Sequence, residues 1–209
     1  MTYWPFSAVH MTLGDVVLTP TVDADLIPLA DLMPADVELD PRLPRFGATE
    51  ERAGRAVHQY YWRHLGGWHP ESWCLDLTVR VGGRIVGSQN LEAADFATLR
   101  TVETASWLGT EFRGRGIGKA MRIAALALAF DGLGAQVAET EAWHDNAASL
   151  GVSRAVGYVD NGVGRHPREG SGADDMVRMR LTRDVWEARH AGTVGLVLPD
   201  VVREYFGVA

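Results

Sequence analysis

Between residues 73 and 81 the chain reads WCLDLTVRV, in which Leu75, Leu77, Val79 and Val81 alternate with Asp76, Thr78 and Arg80. That two-residue period is the mark of a half-buried strand. Gly82 and Gly83 then make a two-residue turn into RIVGSQNL, which predicts a β-hairpin. Elsewhere the period is helical. Residues 50–65 carry a helical pattern halted by GGWHPES, and IGKAMRIAALALAF places Ile117, Met121, Ala124 and Leu128 on one core-facing stripe. In TVETASWL, residues 101–108, a strand presents Thr101, Glu103, Ala105 and Trp107 on a single face. A strand over 135–143 and a helix over 145–156 follow, then a short strand in GYVDNG, a Gly-rich loop over 162–173, a strand DMVRMRL and a short helix RDVWEARH. Towards the N-terminus, DVVLTPTV at 15–22 reads as an edge strand broken by Pro20. The following DADLIPLADLMP opens with Asp caps and ends in proline, and residues 34–49, with three prolines, read as a loop. The end, VGLVLPDVVREYFGVA, reads as a loose apolar tail.

This order of elements describes an α/β (α+β) chain with a mixed sheet and a central strand–turn–helix–strand unit. With 209 residues, 46% of them hydrophobic, one domain spanning 1–209 is expected. Its C-terminal extension, 184–209, would suit an interface with a second copy in a homodimer. A formal charge of −7 argues against nucleic acid as a partner. The single cysteine, Cys74, cannot close a disulfide within the chain and reads as a small core residue in a reducing compartment. The longest apolar run, 123–130, is too short for a bilayer, and no basic segment precedes an apolar one at the N-terminus. A cytoplasmic location without membrane contact is therefore expected. Neither the scattered histidines nor the lone cysteine has zinc-ligand spacing, so no metal is expected.

The stretch RGRGIG, residues 113–118, stands directly before the apolar helix. A helix N-terminus has backbone N–H groups without partners and the positive end of the helix dipole, and glycines let that backbone approach an anion closely. Phosphate is the natural guest, with Arg113 and Arg115 available for charge-assisted bonds. Two familiar phosphate motifs fail. Gly109 and Gly114 have P-loop spacing, but Arg115 and Gly116 follow where Lys and Ser/Thr are needed; a dinucleotide fingerprint would require glycine at Lys119 or Met121.

The pattern Arg113-x-x-Gly116-x-Gly118, between a strand and a helix, resembles the acyl-CoA pyrophosphate signature of the GCN5-related N-acetyltransferase (GNAT) superfamily. A second stretch, HDNAASLGVSRAVGY, is similar to that family's later signature: Asn146 at a helix start, then Gly157 and Tyr158. ETASWLGTEFRGRGIG, DNAAS and GY in this order look most like the RimJ/RimL branch of ribosomal-protein-alanine N-acetyltransferases, over roughly residues 75–183. The resemblance implies a mostly antiparallel, twisted mixed sheet with helices on both faces. It also implies direct transfer of an acetyl or other short acyl group, such as succinyl, from acyl-CoA to a primary amine of a protein N-terminus, a lysine or a small molecule.

By the same resemblance, the Leu108 N–H would bind the thioester carbonyl, with Trp107 beside it. Arg113, Gly114, Arg115, Gly116, Ile117 and Gly118 would hold the pyrophosphate, with Lys119 in the same first turn, and Asn146 would reach the pantetheine arm or adenosine phosphate. Many members have a tyrosine seven residues after that Asn as acid towards the leaving thiolate; this chain has Ser153. The RimL-type branch carries a serine three residues after it, matched by Ser149, which is assigned the acid role or a hydrogen bond to sulfur. Glu103 is the candidate base, directly or through water, with Glu139 and Glu141 as rivals. His144 beside Asp145 reads as structural. The rings within residues 59–73 either line an acceptor pocket or bury the first helices, the second option being favoured for most of them. NGVGRHPREGSG reads as a mobile loop near the cleft. The missing tyrosine leaves a second reading, an acyl-CoA-binding regulator without turnover.

Overall fold

The computed structural model describes residues 4–39, 47–48, 51–170 and 172–208. Among them nine strands form one sheet: β1 (His10–Leu13), β2 (Val16–Pro20), β3 (Ser72–Val81), β4 (Arg84–Ala94), β5 (Thr101–Leu108), β6 (Val137–Trp143), β7 (Val159–Arg168), β8 (Gly172–Thr182) and β9 (Gly195–Val197). The helices are α1 (Asp23–Leu32), α2 (Arg52–Gly66), α3 (Phe96–Leu99), α4 (Ile117–Ala127), α5 (Ala147–Val156), α6 (Arg183–Arg189) and α7 (Asp200–Arg203). The strand order is β7-β8-β6-β5-β4-β3-β2-β1-β9, and every neighbouring pair is antiparallel except β5 with β6. One parallel pair is what a strand–helix–strand crossover through α4 requires.

Local chemistry explains the central elements. Gly82 and Gly83, with φ of 56° and 79°, supply the two left-handed positions of the β3–β4 turn. Helix α4 is apolar almost all round because Met121 to Ala127 are all buried between the sheet and its neighbours. Leu18, Leu77, Leu91, Leu126 and Leu128 reach zero exposure in the same core. Helices α1 and α2 pack together over β3 and β4, whereas α4 crosses β1, β2 and β4 and packs on α5. Asp25 fastens α1 to the sheet: it accepts from Thr78 Oγ1 at 2.9 Å and pairs with Arg80.

Three expectations are corrected here. Strand β2 is not at an edge; β1 and β9 lie outside it, and Pro20 is merely its last residue. The predicted Gly-rich loop over 162–173 belongs to the long β7–β8 hairpin. Its strand β7 is exposed along nearly its whole length, so no hydrophobic alternation marks it, and Gly162 (φ 105°) sits in a bulge. The C-terminal tail is not loose: β9 pairs with β1, while Trp186, Val202 and Phe206 have no exposed surface. The 34–49 loop lies partly outside the described residues; residues 34–39 are free of helix and strand, as expected.

Candidate active site

Strands β5 and β6 begin as a regular parallel pair and then part. Thr101, Val102 and Glu103 are in register with Val137, Ala138 and Glu139, and the ladder stops there. On its other edge β5 stays paired with β4 from Glu92↔Glu103 to Gly87↔Leu108. Backbone groups of a strand point alternately to its two edges. Gly109 donates its N–H to Val86 O (3.0 Å) and the Ala105 N–H is taken by Asn90 Oδ1 (2.7 Å), so odd positions face β4. Ser106 and Leu108 therefore aim their N–H groups into the gap beside β6. The Leu108 carbonyl accepts Arg113 Nε at 3.2 Å, leaving the N–H as the group that this residue offers a ligand.

Gly87 makes the close approach on the β4 side possible. A Cβ there would lie 2.3 Å from Trp107 O and 2.8 Å from Leu108 Cδ2. The register shift at Val79/Arg80 places a bulge beside it, a device that re-aims strand backbone.

At the open end of the gap, Gly114 and Gly116 have φ of 74° and 79°, with nothing within 4 Å of an added Cβ. Gly116 is the N-cap of α4, so this glycine turn stands at the positive end of the helix dipole, a backbone arrangement that suits an anion. Arg115 and Lys119 are exposed beside it, while Ile117 is buried and Gly118 lies in contact range of Val152 and Leu108. Arg113 is held elsewhere. Its guanidinium grips Asp36 in two bonds of 2.6 and 2.8 Å, which hold the Asp36 carboxyl below the ordinary aspartate value. The glycine turn is thereby tied to the segment after α1. From the other side Arg168 holds Glu38 of that same segment (2.6 Å) while binding Asp145 and Asp174 and lying over the Trp143 ring.

That segment roofs a cavity of about 570 Å³. The cavity reaches from α1 and α2 across β3 and β4 to Ala105, Ser106 and Trp107, so its far wall is the strand that borders the gap. Its volume is that of an ordinary small-molecule site. Tyr60 and Tyr61 line it, whereas Trp68 and Trp73 stack on each other and meet Phe206 of the core edge-on, so these rings divide between the two expected uses.

The catalytic candidates separate in space. Glu103 faces the cavity side of the sheet but sits at its rim, in one row with Glu92 and Glu139 on the adjoining strands. Burial among these neighbours, then the charges of Glu92, Glu141 and Glu139, push its pKa up. Glu141 lies by Arg178 and His166. Asn146 caps α5, accepting the Ser149 N–H at 3.0 Å, which places Ser149 in the first turn of that helix. His144 contacts Asp174 and the Asp175 carbonyl at the surface, a structural role.

Two groups were missed by sequence reasoning. His64 Nδ1 lies 2.8 Å from Asp76 Oδ2, and both line the cavity. A carboxylate only accepts, so Nδ1 donates to it and the bond orients the imidazole ring. Cys74 lies close enough for its sulfur, His64 and Asp76 to come within 4.8 Å of one another. Burial, then Asp76 and Glu92, push the Cys74 thiol pKa up, which keeps it neutral. The second group is Arg122 on α4, 3% exposed. Its Nη2 donates to Ser106 Oγ (3.1 Å), and Nη1 approaches Thr140 Oγ1 (3.4 Å) and Ser153 Oγ (3.5 Å). Eleven residues separate His64 from Asp76 and a helix face hides Arg122, so no spacing in the sequence announces either group.

An anion cradle at a helix start, a parted parallel strand pair and an adjoining cavity define a transferase that draws its group from an acyl-CoA. Residues 15–159 match the acetyltransferase (GNAT) domain family, and the chain belongs to that family of acyl-CoA-dependent N-acetyltransferases. Its fold is similar to that of Mycobacterium smegmatis RimJ in complex with CoA-disulfide: TM-score 0.66 and 21% identity, covering 90% of this chain and 96% of that one. RimL, the ribosomal L7/L12 alpha-N-protein acetyltransferase, in complex with coenzyme A gives TM-score 0.66 at 16% identity over 82% and 96%. Vibrio fischeri ribosomal-protein-S5-alanine acetyltransferase gives 0.65 at 16% over 85% and 98%. No described helix is long and apolar enough to cross a membrane.

Proposed function

We propose that this chain transfers an acetyl group from acetyl-CoA to a primary amine seated in the cavity beneath α1 and α2, on a small molecule or an extended N-terminal segment. One observation carries this reading: the cavity and the β5–β6 gap share strand β5 at Ser106 and Trp107. A donor in the gap and an amine in the cavity would therefore meet at one strand, the positioning on which acyl transfer depends.

In this reading the cradle at Gly114 and Gly116 takes the pyrophosphate, and the free N–H groups of Ser106 and Leu108 polarise the thioester carbonyl. The acidic row of Glu92, Glu103 and Glu139 draws a protonated amine to the rim. Inside, His64, oriented by Asp76, takes the proton. Asp76, Asn90 and Ala105 occupy one row across adjacent strands, so the dyad stands about 10 Å from β5 at about 4.8 Å per strand. That distance suits an amine plus a relaying water.

The test is thiol release measured with acetyl-CoA and succinyl-CoA over a panel of amines, alongside calorimetry of CoA binding. Amine-dependent release, fastest with acetyl-CoA, is expected. Tight CoA binding with no release from any amine would return the chain to the regulatory reading. His64→Ala is expected to lower kcat about 100-fold or more, the usual worth of a general base. Glu103→Gln should act mainly on KM for the amine; the reverse ranking would make Glu103 the base.

A further inference from the structure

Arg122 is a cation in the protein interior whose partners, among the described residues, include no carboxylate. The groups that face it are hydroxyls: Ser106 from β5, Thr140 from β6, Ser153 from α5 and the buried Tyr158 just beyond α5. Burying an ion is costly unless an opposite charge answers it, and a hydroxyl brings none. The Nε–H is buried with no acceptor, so the fork has hydrogen-bonding capacity left over.

Two of these hydroxyls are themselves committed. Thr140 Oγ1 donates to Thr104 O at 2.9 Å, and Ser153 Oγ donates to Ser149 O at 3.1 Å. Each has spent its single proton and can only accept from Arg122. Ser153 occupies the place, seven residues after Asn146, where the sequence comparison expects an acid, yet its proton is directed away from the gap. Beside it, the groups that still carry donors are Arg122 and the buried Tyr158 hydroxyl, and of the two Arg122 is the charged one.

The position is as informative as the chemistry. Glu103↔Glu139 is the last paired row of β5 and β6; Thr140 follows it on one strand and Ser106 lies three residues past it on the other. The guanidinium bonded to both lies across the point where the strands part, next to the Ser106 N–H assigned to the thioester carbonyl.

We propose that Arg122 is a catalytic residue that stabilises the thiolate leaving from the acyl-CoA, in place of a tyrosine acid. The amine nitrogen bonds to the thioester carbonyl carbon, the carbon–sulfur bond breaks, and its electron pair departs on sulfur. The amine's proton goes to the base on the cavity side. Arg122 keeps its own proton and answers the new negative charge through hydrogen bonds, and the thiolate picks up a proton from solvent after release. Thr140 and Ser153 act as positioning residues that fix the fork.

This inference rests on the acyl-CoA reading, and one measurement separates the two. The thiol of CoA bound to the wild-type protein is titrated by its ultraviolet thiolate absorbance, with desulfo-CoA as the blank that cancels Tyr158. The bound thiol is expected to ionise at least one pH unit below free CoA, a tenfold or greater gain in ionisation. Arg122→Met should abolish that shift and lower kcat about 100-fold to 1,000-fold, with KM for acetyl-CoA changed less than about threefold. Arg122→Lys should recover only part, since a point charge does not span the three hydroxyls. A bound thiol that titrates like free CoA in the wild type overturns the proposal without any variant, even should Arg122→Met fail to fold. A lowered thiol pKa that survives in Arg122→Met overturns it as well. If CoA does not bind at all, it is the acyl-CoA reading that fails.

Discussion

Strand β5 has two unlike edges. Towards β4 it is paired from Glu103 to Leu108, and the fit is so close that Gly87 has no room for a methyl group. Towards β6 it is paired over three residues and then released. The closed edge fixes the strand; the open one leaves N–H groups unpaired with β6. Exposed strand edges normally invite unwanted pairing, and here the gap is bridged by Thr140 and Arg122 side chains instead of backbone. A gap in the sheet is thus made by interrupting a ladder at one edge while over-determining the other.

Changes at the two edges should differ in kind. The largest effect is expected at the mouth of the open edge: Gly116→Glu sets a carboxylate in the anion cradle and should weaken CoA binding more than 100-fold, about 3 kcal/mol, by calorimetry. Gly116→Ala, which meets only the strain of φ 79°, should cost about 1 kcal/mol of folding stability and leave most binding intact. On the closed edge, Gly87→Ala should cost about 2–3 kcal/mol in denaturant unfolding, because its Cβ meets backbone and not a movable side-chain tip. Equal stability of Gly87→Ala and wild type would show that this edge is not tightly fixed.

Thr140→Val removes the hydroxyl that bridges the parted strands and leaves Thr104 O without that donor, a loss of about 1–2 kcal/mol. The smallest effect is expected at Glu103. Its folded pKa lies above the ordinary glutamate value, so as pH rises the unfolded chain ionises first and folding stability falls across the interval up to the folded pKa. Glu103→Gln should therefore raise Tm by about 1–3 °C at pH 7 and leave it unchanged below about pH 4. A Tm decrease at pH 7 would contradict the crowding of carboxylates.

The hairpin β3–β4, strand β5, helices α4 and α5, and the cradle at residues 113–118 were all legible in the sequence. Each carries a local signal: strict alternation, a Gly-Gly turn, an apolar stripe, or glycines ahead of a helix. The β7–β8 hairpin was not legible, since an exposed arm of polar residues shows the composition of a loop. Nor were β9 and the docking of Trp186 and Phe206, because short segments owe their structure to the surface they cover. Within the site, the pairing of Arg113 with Asp36 was not legible either, since 77 residues separate the two and only folding brings them near.

By itself the sequence determined the period of each central element and the glycine turn ahead of α4, because period-two and period-3.6 burial and glycine torsions are properties of neighbouring residues. Only the tertiary structure decided where β5 and β6 part, which histidine meets an aspartate and which arginine is buried without an acid. Those outcomes depend on residues far apart in the chain that share one dry space, and no local pattern encodes that sharing.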